Sequence, residues 1–316
     1  MMKETLDALE RIGKDEMKST LRIQTTLLKA MQQFMAEKGF MQFMPIMTSP
    51  LTDPLGPDPG STVIKTGEIE YYGQQLVVTQ SMILHKQLAM ASGLDKMFVF
   101  SPNLRLEHEK RKETGKHLFE FTQMDFEMSK AEMKDAMDLI EELVVESIKA
   151  VTKERKDDLE TLGRKLSVPM MPFKFYTTHQ LEEKYGKDWE ITASKDHDEP
   201  FWAICHKREF YDKEDPKEKG HYKNYDLIWP EGFGEALSGA EREFDYDIIK
   251  RKIGGEGVPL GEERLKHYMF LSESKLLVPS AGGGIGVERF VRFLTGRKHI
   301  GEVQPFIRVP GEKVIF

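Results

Sequence analysis

Apolar residues recur at helical spacing in two long segments of the chain. Between residues 19 and 38 one face carries Leu27, Leu28, Met31, Phe34 and Met35. Gly39 follows, and glycine readily adopts the left-handed conformation that ends a helix. The second segment carries Met133, Ala136, Met137, Ile140, Leu143 and Val144. Ser129 and Glu132 precede it with the spacing of a capping box, so the pattern predicts two long amphipathic helices.

Other apolar stretches indicate strands. EIEYYGQQLVVTQ predicts a hairpin that turns at Gly73, and GFMQFMPIMTSP before it predicts a strand with Pro45 near its end. FWAICH, YDLIWP and LLVPSAGGG follow later, separated by charged segments. Hairpin strands with helices held apart from them predict an α+β fold, in which an antiparallel sheet is flanked by helices.

Composition narrows the class of protein. The chain has 316 residues, 39% hydrophobic and 31% charged, without repeats or low-complexity blocks. These features predict a single globular domain over residues 1–316. No run of 18 apolar residues occurs, and the charged N-terminus lacks the apolar stretch of a secretory signal. We therefore expect a cytoplasmic protein with no membrane segment.

Charge and cysteine content add two expectations. The net charge of -7 argues against a broad nucleic-acid surface but leaves room for a local basic patch. The one cysteine, Cys205, cannot form an internal disulfide, which fits a reducing compartment. Its apolar neighbours predict a buried strand residue rather than a nucleophile.

The glycine-rich segment AGGGIGVERFVRFLTG is a candidate nucleotide site. Only 27 residues follow Arg289, too few for the rest of a dinucleotide-binding fold, and no phosphate-loop motif with a Gly-Lys-Ser or Gly-Lys-Thr ending occurs. The segment instead predicts a strand ending in glycines, where a ligand can approach the backbone, and a helix from about Val287 with Arg289 in its first turn.

Four segments together resemble one family. FSPNLRLE with HLFEFTQMDFEM resembles motif 2 of the class II aminoacyl-tRNA synthetases, and GGGIGVERFVRFLTG resembles their motif 3. GEALSGAERE and TQSMILHKQLAMASGLDKMF are similar to further segments of the aspartyl and asparaginyl subgroup. The order and spacing agree over nearly the whole chain. The resemblance implies the class II catalytic fold, ATP as substrate and Mg²⁺ as its ion.

The resemblance also implies residue roles. A group of residues would bind ATP: Arg105, Glu107, Arg111, His117, Phe121, Glu235 and Arg289. A second group would bind aspartate: Ser81, Lys86, Gln123, Asp125 and Arg242. Arg105, Arg289 and Asp125 are the expected catalytic residues, and Glu235 with Ser238 would hold Mg²⁺. The guanidinium of Arg105 suits a carboxylate and a phosphate, although a surface salt bridge is its alternative role.

The sequence departs from the subgroup in ways that bear on the reaction. Met82 and Ile83 stand where the family has Pro and Gln, the segment 51–63 lacks the family's Glu-Gly pattern, and Pro45 falls one position early. Because the first motif helix begins near residue 19, we expect no anticodon-binding OB-fold of the family ahead of the catalytic segment. These features resemble the archaeal-type asparagine synthetases related to asparaginyl-tRNA synthetase.

That resemblance predicts a homodimer that makes asparagine, AMP and pyrophosphate from aspartate, ATP and free ammonia through a β-aspartyl-adenylate. Asp125 or Glu235 could accept the proton of ammonia, and tRNA binding is not expected. Two alternatives stay open: a truncated synthetase-like ligase acting on tRNA with a partner, and a non-catalytic regulatory paralogue. The second alternative should have lost Arg105 or Arg289, yet both are present.

Overall fold

The computed structural model describes residues 2–55, 62–206, 209–255 and 261–316. Within them the α-helices are α1 (Met2–Gly13), α2 (Asp15–Glu37), α3 (Ile83–Ala91), α4 (Met133–Glu154), α5 (Lys156–Thr161), α6 (Thr178–Tyr185), α7 (Trp189–Lys195), α8 (Tyr246–Gly255), α9 (Gly261–Glu273) and α10 (Val287–Thr295). Short 3₁₀ helices span Glu109–Thr114 and Ile300–Val303.

The strands are β1 (Met41–Gln42), β2 (Thr48–Ser49), β3 (Val63–Lys65), β4 (Glu68–Tyr71), β5 (Gln74–Val78), β6 (Lys96–Leu104), β7 (Leu106–Glu107), β8 (Glu120–Ser129), β9 (Lys174–Thr177), β10 (Phe201–Ile204), β11 (Asn224–Trp229), β12 (Gly234–Glu241) and β13 (Ser280–Gly286). Eight of them form one sheet in the order β1-β6-β8-β13-β12-β11-β10-β9. Its six central strands pair antiparallel, and only the edge pairs β1–β6 and β9–β10 are parallel. The predicted α+β class is confirmed.

Helices cover one face of this sheet with a large apolar core. The inner side of α2 contributes Ile23, Leu27 and Met31, and α4 and α10 add their own apolar sides. Trp202 and Trp229 meet them from the sheet, and both are fully buried. Because this core fixes one face, polar side chains of the central strands are left to the other face, where α3 packs against β6, β8 and β13.

The predicted helices exist, but two boundaries differ. The first begins at Asp15 instead of residue 19. The predicted capping box of Ser129 and Glu132 is wrong: Glu132 itself is the cap residue of α4 and exchanges hydrogen bonds with Asp135. Ser129 is the last residue of β8, so the sheet ladder already determines its backbone conformation.

The predicted strands are also found, with two corrections. The hairpin turns at Tyr72 and Gly73, both at positive φ, as predicted. The segment 39–50 forms two short strands separated by Pro45 instead of one, because proline has no N–H to donate to a ladder. Cys205 is not a buried strand residue: it follows β10, is half-buried and has a φ of 69°.

The segment 51–63 lies partly outside the described residues. Among those that are described, no helix is both long enough and apolar enough to cross a membrane.

Candidate functional site

A row of polar positions crosses the face of the central sheet that lies opposite the large apolar core. In register, Asp125 of β8 lies beside Gly284 of β13, Gly284 beside Ser238 of β12, and Ser238 beside Asp226 of β11. These residues line a cavity of about 740 Å³, which also reaches α3, the loop after β7 and α7. The row is therefore the floor of a pocket built on rigid strands.

The glycines of β13 make room for neighbouring side chains. A Cβ at position 282 would lie 2.2 Å from Glu127 Oε2, and one at position 284 would lie 2.8 Å from Asp125 Oδ1 and 2.9 Å from Gln123 Nε2. Sequence reasoning expected these glycines to admit a ligand. At these two positions the space is instead occupied by polar side chains of β8, which the ligand would meet.

Lys86 and Asp125 form a buried ion pair on this floor. Lys86 is 1% exposed, and its Nζ donates to Asp125 Oδ1 at 3.0 Å. It also donates to the carbonyl oxygens of Gly283 at 2.9 Å and Phe126 at 3.3 Å. An ammonium group has three hydrogens. All of them are directed to protein oxygens, so Lys86 supplies charge and holds Asp125 in place.

Arg242 forms the second buried pair. Its Nε and Nη2 donate to Glu127 Oε1 and Oε2 at 3.0 and 3.2 Å, and Ser280 Oγ donates to the same carboxylate at 2.8 Å. Burial lowers the pKa of Arg242, but the attraction of Glu127 and the nearby Asp212 raises it above its usual value overall. The guanidinium stays charged, and its Nη1 lies outside the two-bond contact with Glu127.

Arg105 differs from these two cations. Its Nε donates to the carbonyl oxygen of Gln80 at 3.0 Å, and its guanidinium carbon lies 5.3 Å from the ring centre of Phe121. Within the described part of the chain, no carboxylate lies within 4.0 Å of the Arg105 side-chain nitrogens. This cavity-lining cation is therefore available to an anionic ligand, and its surface salt-bridge alternative is not observed.

Arg289 lies in the first turn of α10, which begins directly after β13. Its Nη1 is 2.9 Å from Glu235 Oε1, and its Nε donates to the carbonyl oxygen of Lys116 at 3.3 Å. The side chain passes over Gly286 and borders a small adjoining cavity of about 70 Å³, which Phe121 also lines. A flat group between Phe121 and Arg289 would contact an aromatic ring and a guanidinium plane.

The loop after β7 forms the rim of the pocket. Glu107 accepts hydrogen bonds from the backbone N and Oγ1 of Thr62, and Arg111 Nε donates to the same hydroxyl at 2.9 Å. His117 Nδ1 contacts Thr114 Oγ1 at 2.5 Å. Burial, with help from Arg289 and other cations, lowers the pKa of His117 to about 2, so the imidazole is neutral at physiological pH.

The structure brings all the sequence-predicted site residues to one place. Twelve of them line the large cavity: Ser81, Lys86, Arg105, Glu107, Arg111, His117, Gln123, Asp125, Glu235, Ser238, Arg242 and Arg289. The thirteenth, Phe121, lines the adjoining small cavity.

The donor set near Glu235 and Ser238 fits Mg²⁺. Both residues lie on β12 and offer hard oxygen atoms, the ligands that this ion prefers. Asp226, opposite Ser238 on β11, adds a third oxygen-bearing side chain that sequence reasoning missed. Among the described residues, no group of three or more His, Cys, Asp or Glu is arranged to hold an ion by itself.

Sequence reasoning also missed Glu127 and Glu288. Glu127 is fully buried and forms the counterion of Arg242. Glu288 lies next to Arg289, and its carboxylate accepts the backbone N–H of Thr122. Desolvation, the largest influence, raises the pKa of Glu288 to about 7. Alternation along FTQMDFEM could have indicated that Glu127 shares a face with Gln123 and Asp125.

Comparison with known proteins finds relatives of this chain. The chain is 30% identical over 315 residues to an asparagine–tRNA ligase of Koribacter versatilis, with 91% of this chain and 68% of that protein covered. It is 31% identical to an aspartate–tRNA(Asp/Asn) ligase of Methanothermobacter thermautotrophicus, with 94% and 68% covered.

A solved structure has the same fold. The crystal structure of asparaginyl-tRNA synthetase from Pyrococcus horikoshii with asparaginyl-adenylate matches with a TM-score of 0.85 and 26% identity, covering 96% of this chain and 71% of that one. The family described as tRNA synthetases class II (D, K and N) matches residues 6–310. The chain therefore belongs to this family of class II tRNA synthetases, and the antiparallel sheet described above is its catalytic fold.

Proposed function

We propose that this chain is an ATP-dependent ligase that activates aspartate as an aspartyl-adenylate and transfers the aspartyl group to a tRNA. The observation that carries the activation step is Arg105, the cavity-lining guanidinium with no carboxylate partner among the described residues. Relatives named as tRNA ligases support the acceptor.

Two buried cations support aspartate as the amino acid. Arg242 and Lys86 both line the pocket, and both are almost inaccessible to solvent. Each cation is already paired with a buried carboxylate, so a second carboxylate of the substrate would gain from a direct charge-assisted hydrogen bond, which a neutral side chain would make less strongly. Arg242 Nη1, which lies 3.8 Å from Asp212 Oδ1, is the nitrogen best placed to donate it, because Nε and Nη2 hold Glu127.

The chemistry follows from the arrangement around Arg105. A carboxylate oxygen of aspartate attacks the α-phosphorus of ATP, the bond to the bridging oxygen breaks, and pyrophosphate leaves with the electron pair. Arg105 faces the charge that develops between the two reacting groups. Phe121 and Arg289 bound the smaller cavity, where the adenine ring would stack. The acceptor then attacks the acyl carbon and releases AMP.

Mg²⁺ would be held by Glu235 and Ser238 together with the phosphates, and it would neutralise part of the phosphate charge. Glu235 already pairs with Arg289, so the two residues are close enough to serve the same triphosphate.

A local basic segment supports a nucleic-acid acceptor. Residues 108–117 contain four Lys or Arg and two Glu in a protein whose net charge is -7. Arg111 and Lys116 of this segment line the pocket, while Lys110 and Lys112 are exposed to solvent. Arg111, Lys112 and Lys116 pair with Glu107, Glu312 and Glu190, so the positive charge that remains to attract the phosphates of an RNA strand is mainly that of Lys110.

One observation favours ammonia as a second candidate acceptor. Ile83 is 4% exposed and lines the pocket between Ser81 and Lys86, presenting an apolar side chain where the resemblance expects Gln. An amino acid bound there lacks one hydrogen-bonding partner. This change would suit aspartate lying in the reverse direction, with its β-carboxylate activated and then converted to asparagine.

One set of reactions separates the two candidates. Purified protein is given ATP, Mg²⁺ and aspartate, and isotope exchange between pyrophosphate and ATP is measured, with asparagine tested in parallel. Total tRNA or ammonium is then added, and the aspartyl-tRNA or asparagine formed is quantified. Aspartate-dependent exchange followed by acid-precipitable aspartate on RNA supports the first proposal. Asparagine formed in nuclease-treated samples replaces it with the second.

Oxygen labelling identifies which carboxylate reacts. The attacking oxygen stays on AMP when the acyl group departs. Aspartate labelled with heavy oxygen at its α-carboxylate should therefore pass one labelled atom to AMP in a tRNA ligase, and label at the β-carboxylate should stay in the amino acid. The opposite result supports the ammonia reaction. Release of ADP and phosphate would contradict both.

We also propose that the protein is a homodimer. Met41 lies in the edge strand β1, Met44 and Met47 follow it, and Met44 is 86% exposed. An unpaired strand edge with apolar side chains suits association with a second copy. Sedimentation equilibrium should give twice the chain mass of 36.5 kDa. A Met44→Asp variant that remains dimeric would place the interface elsewhere.

A further inference from the structure

Two buried polar residues on β6 lie beside the pocket without lining it. Ser101 is fully buried and Asn103 is 1% exposed. Neither belongs to the pocket wall, whereas Gln123 and Asp125 on the neighbouring strand β8 do. Buried polar groups cost free energy unless they are hydrogen-bonded, so the partners of Ser101 and Asn103 indicate their role.

The strand register brings these four residues together. Ser101 pairs with Gln123 across the antiparallel β6–β8 ladder, and Val99 pairs with Asp125. Residues two apart on a strand share a face. Ser101 therefore lies diagonally opposite Asp125, and Asn103 lies diagonally opposite Gln123, within reach of a short side chain.

The first diagonal contact fixes the carboxylate of Asp125. Ser101 Oγ donates to Asp125 Oδ2 at 2.5 Å, while Lys86 Nζ donates to Oδ1 at 3.0 Å. Both oxygens are held, each by a different element of the fold. Asp125 thus has one defined orientation before any substrate enters.

The second diagonal contact fixes the amide of Gln123. Asn103 Nδ2 donates to the carbonyl oxygen of Ser101 at 3.2 Å, and a carbonyl can only accept, which identifies the nitrogen of Asn103. The same Nδ2 lies 3.1 Å from Gln123 Oε1. Gln123 consequently turns its oxygen towards Asn103 and its Nε2 towards the space above Gly284.

The two contacts are linked through Ser101. Its Oγ lies 3.4 Å from Asn103 Nδ2, whose two hydrogens are shared among three oxygens, so the hydroxyl accepts the longest of these contacts while it donates to Asp125. The chain of hydrogen bonds runs from Gln123 through Asn103 and Ser101 to Asp125 and ends at Lys86.

We propose that Ser101 and Asn103 are positioning residues for amino-acid activation. They hold Asp125 and Gln123 in the orientation that meets the substrate, with Gln123 presenting an N–H donor to a carboxylate or phosphoryl oxygen. The inference rests on the proposed function, since it concerns the amino acid that the pocket activates.

The test compares Michaelis constants in the pyrophosphate exchange assay. Ser101→Ala and Asn103→Leu should each raise the KM for the amino acid by at least about tenfold, because each loosens a group that contacts it. The KM for ATP should stay within about twofold. Ser101→Thr keeps the hydroxyl and should recover most of the wild-type value.

Ser147→Ala is the matched control. Ser147 is a 1% exposed residue of α4 whose hydroxyl has no hydrogen-bond partner within the described residues. Its loss should leave both KM values unchanged. A purely structural role for Ser101 or Asn103 would reduce the fraction of active enzyme and the melting temperature without changing either KM. That result would overturn the proposal.

Asn103→Asp covers the case in which the larger changes prevent folding. It preserves size but replaces the donor nitrogen with an oxygen, so it should also raise the KM for the amino acid. An unchanged KM in this variant contradicts the inference while leaving the proposed function intact. Wild-type protein that supports exchange with no amino acid overturns the proposed function, and this inference with it.

Discussion

The buried ion pair of Lys86 and Asp125 should contribute more to activity than to the free energy of unfolding. Lys86→Met keeps the length of the side chain but removes its charge, so that within the described residues the buried Asp125 keeps the Ser101 hydroxyl as its one side-chain donor. For charges 3.0 Å apart, Coulomb's law at an effective dielectric constant of about 20 gives roughly 5 kcal/mol of lost attraction. Breaking buried pairs by removal of one partner typically costs about 3–5 kcal/mol.

The companion change should reverse much of that loss. Asp125→Asn in the Lys86→Met background removes the stranded charge and still leaves an oxygen to accept from Ser101. We expect the double variant to recover at least about 2 kcal/mol of unfolding free energy, because a neutral pair carries no uncompensated buried charge. Aspartate-dependent exchange should be lost in both variants.

Urea denaturation at constant pH measures the stability part, and pyrophosphate exchange measures the activity. Lys134→Met is a matched control, since Lys134 pairs with Asp138 on the exposed side of α4. It should change neither property measurably. A Lys86→Met protein as stable as wild type, or a double variant no more stable than the single one, would refute the electrostatic reasoning.

Three further predictions, with four substitutions, test other parts of the site. The pKa of Glu288 is raised from its ordinary value of 4.5 to about 7, so the protonated carboxyl stabilises the folded state at low pH and this contribution is lost as the pH rises through that range. Glu288→Gln should remove roughly 3 kcal/mol of this pH dependence of the unfolding free energy, measured by denaturation across the same range. Gly282→Ala should give little folded protein, because its Cβ would lie 2.2 Å from both the Glu127 carboxylate and the backbone oxygen of Phe126, and a soluble, wild-type-like variant would contradict this packing. Arg105→Ala and Arg289→Ala should each lower kcat/KM about a hundredfold or more, mainly through kcat for Arg105 and also through the KM for ATP for Arg289; unchanged turnover in a folded variant would reject the assigned role.

Much of the site could be predicted because its residues fall in local segments. Arg105 and Phe121 lie on or beside neighbouring strands of one hairpin-like unit, and Arg289 lies in the first turn of the helix after β13. Such positions follow from strand alternation and from the strand-to-helix change in pattern. Motif resemblance could therefore place them without knowledge of the whole sheet.

The remaining contacts depend on strand order, which a single sequence does not reveal. Glu127 and Arg242 are 115 residues apart in the chain and meet only because β13 lies between β8 and β12. The pairing of Lys86 with Asp125 likewise needs α3 to pack on that face. Cys205 shows the same limit, since its apolar neighbours did not reveal that the strand ends at Ile204.

The lack of a side chain at Gly282 restricts how this site can change during evolution. A Cβ at position 282 would lie 2.2 Å from Glu127 Oε2 and 2.2 Å from the backbone oxygen of Phe126, so shortening Glu127 does not by itself make room for a larger residue. Shortening Glu127 would also remove the carboxylate that accepts both hydrogen bonds of the buried Arg242. Gly282, Glu127 and Arg242 therefore form a triad in which each single change is harmful by itself. A lineage that carries this triad should keep it even while its acceptor substrate changes.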